Sequence, residues 1–132
     1  MKKTKRKITI IIEKTGTGFS AYSEEYAIFT TAKTIPELIG NVIEASNLYF
    51  EEQGELITQD NINFLVDFKQ FFQYYKVLNA KFLAERIGMN TTLLSQYVQG
   101  RKRPSSEQTE KILTGIHQIG RELSEINLIH RA

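Results

Sequence analysis

Isoleucines at positions 8, 10 and 12 alternate with Thr9, Ile11 and Glu13. A period of two in a β-branched run predicts a strand over 7–13 with one strongly apolar face. Thr15-Gly16-Thr17-Gly18 follows as a turn, since glycine takes positive φ at little cost. Phe19 to Glu24 predicts a returning strand, Glu24-Glu25 a break, and 26–31 a third strand. The period then changes. Leu38, Ile39, Val42, Ile43, Ala45, Ser46, Tyr49 and Phe50 recur at helical spacing. Thr34 stands where an N-cap belongs, Glu37 three residues on suits a capping box, and Pro36 is tolerated in the first turn. Gln53-Gly54 ends the helix, 55–61 reads as a polar loop, and 62–66 alternates as a fourth strand. The order β-β-β-α-β predicts one helix covering one face of a small sheet whose edges need cover.

From Phe68 onward the pattern is helical throughout. Phe68, Phe71, Phe72 and Tyr75 give residues 67–76 an apolar side, better suited to a core than to stacking bases. Asn79 caps the next helix, in which Leu83, Ala84 and Ile87 share a face and which Gly88 ends. Asn90 caps a further helix with Leu94, Tyr97 and Val98 inward and Thr91, Thr92, Ser95, Gln96 and Gln99 outward. Ser105 with Gln108 opens a last helix. Its stripe of Ile112, Ile116, Ile119, Leu123 and Ile126 steps by four, three, four and three. The first half of that stripe suits packing within the domain, and the second half suits a second subunit. The fold class expected is therefore α+β, with an α+β domain over 1–67 and an all-α domain over 68–132.

Two short helices meeting at a glycine corner, with hydrogen-bonding side chains outward on the second, form a helix-turn-helix. Leu83-Ala84, Ile87-Gly88, Leu94-Ser95, Gly100, Lys102 and Pro104-Ser105 carry a resemblance to the lambda-repressor-like, or XRE-type, DNA-binding domain. That resemblance implies base contacts from Thr91, Thr92 and Gln96, and base or phosphate contacts from Ser95 and Gln99. Arg101, Lys102 and Arg103 behind the helix are placed for phosphate.

Charge separates the two halves. Residues 1–7 carry five Lys or Arg and no acid, and read as a solvated, frayed terminus, with a flexible arm touching phosphate or protein as the alternative. Residues 8–67 carry two basic and ten acidic residues, net −8, and residues 68–132 carry ten basic and five acidic, net +5. The basic half suits a phosphate backbone, and the acidic half suits a basic protein partner. There is no cysteine and no apolar run long enough for a membrane, so a cytoplasmic protein is the simplest expectation. His117 and His130 form no metal-ligand spacing, and Gly16 and Gly18 match no phosphate loop, so no cofactor or metal is expected. A two-metal nuclease would need carboxylates central on adjacent strands. Glu13 lies at a strand end and Glu24 and Glu25 at a turn, which favours a non-enzymatic role.

Taken together, an acidic β-β-β-α-β module and an XRE-type domain resemble the HicB family of antitoxins. Lys2-Lys3-Thr4, Ile8–Ile12, Phe19-Ser20-Ala21-Tyr22, Thr34-Ile35-Pro36-Glu37-Leu38, and Pro104-Ser105 through Ile119-Gly120-Arg121-Glu122-Leu123 carry the match. The segment Tyr26 to Thr31 departs from the Pro- and Gly-bearing stretch common in that family. The resemblance implies a partial ribonuclease-H-like module that masks HicA, a small basic toxin cleaving messenger RNA. It also implies a C-terminal domain that represses its own operon by binding operator DNA as a homodimer or higher homo-oligomer. Glu24, Glu25 and Tyr26 are the candidate partner contacts. The alternative is a stand-alone repressor whose N-terminal domain senses a small ligand.

Overall fold

The computed structural model describes residues 2–131, which form two units dividing between Gln70 and Phe71. The chain is mixed α+β. In the first unit β1 (Lys2–Lys3), β2 (Ile8–Lys14), β3 (Phe19–Tyr22) and β4 (Phe29–Ala32) precede α1 (Ile35–Tyr49), followed by β5 (Glu55–Leu56) and β6 (Ile62–Val66). α2 (Phe68–Tyr74) begins before the division. α3 (Ala80–Ile87), α4 (Thr91–Val98) and α5 (Ser106–Glu125) make up the rest.

Four strands form one sheet in the order β4-β3-β2-β6. β3 pairs antiparallel with β2 and β4, whereas β6 runs parallel to β2, aligning Ile8 with Ile62 and Ile12 with Val66. A parallel partner cannot be reached by a tight turn, and here the connection from β4 to β6 passes through α1. Thr34 caps α1, its hydroxyl oxygen accepting from the Glu37 N–H at 3.3 Å. The apolar faces meet as their spacing predicts. Ile8, Ile10, Ile12, Phe19 and Ala21 of the sheet and Leu38 and Val42 of α1 join Ile28, Phe50, Ile57 and Ile62 in one buried cluster. Each such large aliphatic side chain contributes about 1.5–3 kcal/mol on burial. Gly18 admits no side chain, because a Cβ there would run into the Ala32 carbonyl oxygen of the neighbouring strand.

Three expectations are corrected. Residues 2–7 are not frayed: β1 pairs parallel with β5, and Arg6 is clamped. Its guanidinium donates to Glu55 through Nε at 2.8 Å and Nη2 at 3.0 Å, and to the Tyr26 hydroxyl through Nη1 at 3.1 Å, while stacking 4.3 Å from the Phe50 ring centre. The 55–61 stretch is likewise ordered, with β5, a 3-10 turn over Gln59–Asn61, and Asn61 only 7% exposed. The Asn61 amide nitrogen donates to the carbonyls of Thr4 and Arg6, each at 2.9 Å, and its oxygen accepts from the Thr58 N–H at 2.9 Å. The third strand starts at Phe29, three residues later than its residue types suggest. The Ser23 hydroxyl accepts from the N–H groups of Glu25 and Tyr26 and holds that segment as a turn.

Removing a buried amide with three partners leaves backbone groups unpaired, so Asn61→Ala should destabilise the first unit by about 2–4 kcal/mol in denaturant unfolding. Hydrogen bonds from the Arg6 guanidinium hold the Glu55 carboxyl below the ordinary glutamate range. The Arg6–Glu55 contribution is therefore present above that ordinary range and lost as pH falls through the lowered value. Glu55→Gln should flatten the acid limb of stability against pH; an unchanged limb would remove this pair from acid unfolding.

Candidate nucleic-acid interface and partner surface

Local signals build the corner between α3 and α4. Asn79 Oδ1 accepts from the Phe82 N–H at 3.1 Å, and Asn90 Oδ1 from the Leu93 N–H at 3.0 Å. Gly88 ends α3 at φ +70°, and the next N–H, of Met89, donates back to the Ala84 carbonyl at 2.9 Å. A left-handed residue there reverses the chain in two residues, which suits glycine alone at low cost. Leu83, Ala84, Met89, Leu94, Tyr97 and Ile112 are buried, with Ala84 and Leu94 fully so. α5 packs on α3, where a Cβ at Gly115 would collide with the Ile87 side chain, and Arg86 pairs with Glu122. Ser105 caps α5 by accepting from the Gln108 N–H at 3.1 Å. The capping box is one-sided: the Gln108 side-chain oxygen is buried with no hydrogen-bond partner among the described residues. The apolar stripe of α5 runs from buried Ile112 through half-buried Ile116 and Ile119 to exposed Leu123. Ile126 leaves it, because the helix stops at Glu125 and Ile126 is extended.

With Leu94 and Tyr97 inward, the opposite face of α4 carries exposed Thr92 and Gln99 and half-buried Thr91, Ser95 and Gln96. Gln99 Nε2 donates to Ser95 Oγ at 3.2 Å, one turn back. The Gln96 carbonyl accepts from the N–H groups of Arg101 at 2.9 Å and Lys102 at 3.4 Å, turning the chain at the helix end. Arg101, Lys102 and Arg103 are exposed, and none of them is ion-paired among the described residues. α4 is eight residues, about 12 Å long, comparable with the width of a DNA major groove. Amide and hydroxyl groups on such a helix have the donors and acceptors that base edges require, with cations adjacent for phosphates.

In the first unit Glu24 and Glu25 are exposed, and Tyr26 is half-buried. Its hydroxyl accepts from Arg6, and its ring meets Phe50 edge-on with centres 5.0 Å apart. Tyr26 thus supports the fold. Sequence reasoning passes over a different set of residues. The pairing aligns Phe29 with Tyr22, Tyr22 with Ile11, and Ile11 with Leu65, a single apolar row across all four strands on the face α1 leaves open. Phe29 is 66% and Leu65 46% exposed. Thr31, Ser20 and Glu13 flank the row on one side, and Thr9 and Asn63 on the other. The Tyr22 hydroxyl donates to Glu13 Oε1 at 3.0 Å, a bond that raises the Tyr22 pKa above its ordinary value. Only strand alternation hints at this row in the sequence, since its members come from four segments. Among the described residues, no three His, Cys, Asp or Glu gather as a metal site. No helix there is long and apolar enough to cross a membrane.

Leu94→Ala should destabilise the second unit by about 2–5 kcal/mol by opening a cavity between α3 and α4. Gly115→Ala should cost about 1–3 kcal/mol by pushing Ile87 aside. Thermal unfolding of each variant checks both, and a neutral Gly115→Ala would mean that α5 shifts freely on α3.

Comparison with models of protein families, with curated proteins and with solved structures found no match.

Proposed function

We propose that this chain is a HicB-like antitoxin. Its first unit, a partial ribonuclease-H-like module, neutralises a small basic mRNA-cleaving toxin, and its XRE-type second unit represses the operon through operator DNA. The observation that carries the DNA-binding half is the corner at Gly88. It presents a polar α4 face of Thr91, Thr92, Ser95, Gln96 and Gln99 beside the exposed cations Arg101, Lys102 and Arg103. A homodimer would set two such helices about one DNA turn apart on an inverted repeat.

The partner half draws support from the open sheet face. A mostly antiparallel sheet can leave one face uncovered, and an apolar row exposed on that face marks a candidate interaction surface. Here the β2–β6 parallel pair has α1 on one side and the row Phe29, Tyr22, Ile11 and Leu65 on the other. Glu13 beside the row, with Glu24 and Glu25 exposed beyond β3, would favour a basic protein over nucleic acid.

Gln96→Ala should relax sequence preference, while Lys102→Ala should weaken binding to all DNA and flatten its salt dependence. Equal losses on operator and random DNA for Gln96→Ala would remove that side chain from base readout. For the partner half, the protein is recovered at native level and its companions identified. A small basic ribonuclease in stoichiometric amount is expected, and Phe29→Asp should reduce its recovery at least tenfold with DNA binding intact. Recovery of the protein alone, still binding specific DNA, would leave a plain repressor.

A further inference from the structure

A basic groove lies in the otherwise acidic first unit, far along the chain from the recognition helix. Residues 3–7 alternate strictly: Lys3, Lys5 and Lys7 are exposed, and Thr4 and Arg6 are half-buried. The inward pair is fastened. Arg6 bonds Glu55 and Tyr26, and the carbonyls of Thr4 and Arg6 both accept from the Asn61 amide. The outward lysines therefore stand on a backbone held in place at Thr4 and Arg6. They line one side of a groove of about 400 Å³ whose other side is formed by Thr58, Asp60 and Asn61. Lys7 Nζ donates to the Asp60 carbonyl at 3.0 Å, tying the two sides together. Among the described residues no carboxylate pairs with Lys3, Lys5 or Lys7.

We propose that this groove binds the phosphate backbone of duplex DNA, a contact additional to that of the recognition helix. Residues 8–70 carry three basic and ten acidic residues, so the groove is the place in this unit where a polyanion meets attraction. Lysine ammonium groups meet phosphates as point charges, without the bidentate geometry that an arginine fork would impose. Among the described residues no aromatic side chain lines the groove to offer the stacking that holds single strands. Among the described residues no apolar side chain lines it either. The contact reads no sequence, because phosphates carry none. The ordering by Asn61 matters physically: the backbone entropy of residues 3–7 is already lost in folding and is not charged against binding.

The test uses the full chain and a labelled random-sequence duplex, titrated at several salt concentrations. Lys3→Gln/Lys5→Gln should weaken binding on the order of tenfold or more at 0.1 M salt, and lower the slope of log affinity against log salt by about 2. Lys3→Arg/Lys5→Arg should restore both. Asp60→Asn removes the acid in the lining and should tighten binding. An unchanged slope in the Lys3→Gln/Lys5→Gln protein would overturn the proposal. So would a loss confined to single-stranded RNA, or displacement of the duplex by an equal concentration of inorganic phosphate. Gln replacement of Arg101, Lys102 and Arg103, run alongside, keeps the two surfaces apart. If that variant alone loses affinity, the groove fails and the helix stands. If the Lys3/Lys5 variant alone loses affinity, the helix reading fails and the groove stands.

Discussion

The first unit depends on closing β2 against β6, the first and last strands of its four-stranded sheet in sequence order. β2 and β6 are separated by the whole of β3, β4 and α1, yet they pair in parallel from Ile8–Ile62 to Ile12–Val66. Such a non-local pairing must offset a large loop-closure entropy before it contributes anything. Asn61 is placed at the point of closure. One buried side chain bonds the carbonyls of Thr4 and Arg6 just ahead of β2 and the Thr58 N–H just ahead of β6, which sets the register of both. Arg6 then ties the same corner to Glu55, Tyr26 and Phe50. The sheet, its single covering helix and the ordered N-terminal segment all follow from that closure.

A sheet covered on one face leaves the other to function. Ile8, Ile10 and Ile12 turn into the core shared with α1, preceded by half-buried Thr4 and Arg6, while the odd positions from Lys3 to Glu13 are exposed or half-buried. The odd side begins with Lys3, Lys5 and Lys7, passes through Thr9, reaches Ile11 in the apolar row, and ends at Glu13. One strand and its leader thus present basic, apolar and acidic surface in succession. Different partners can use such a surface without competing for one chemistry.

The second unit works differently. Asn79, Gly88, Asn90 and Ser105 each act within three or four residues of themselves, satisfying helix ends that would otherwise leave donors or acceptors unpaired. The small buried core of Leu83, Ala84, Met89, Leu94, Tyr97 and Ile112 then decides which side of α4 remains for contact. The polar face is what is left once Leu94 and Tyr97 turn inward, so fold and candidate interface rest on the same few residues.

By itself the sequence determined what is local. The Ile8–Ile12 alternation, the Thr34, Asn79, Asn90 and Ser105 caps and the Gly88 turn are set by interactions within one turn or one pleat, and those signals survive in any context. The α+β order follows from them. Tertiary structure alone decided the rest. The strand partner of Lys2–Lys3, the hydrogen bond from Arg6 to Tyr26 and the row joining Phe29, Tyr22, Ile11 and Leu65 each depend on which distant residues become neighbours. A basic stretch such as 1–7 reads as solvated because its own composition holds nothing that would fold it; Glu55, Phe50 and Asn61 supply that, from about fifty residues away.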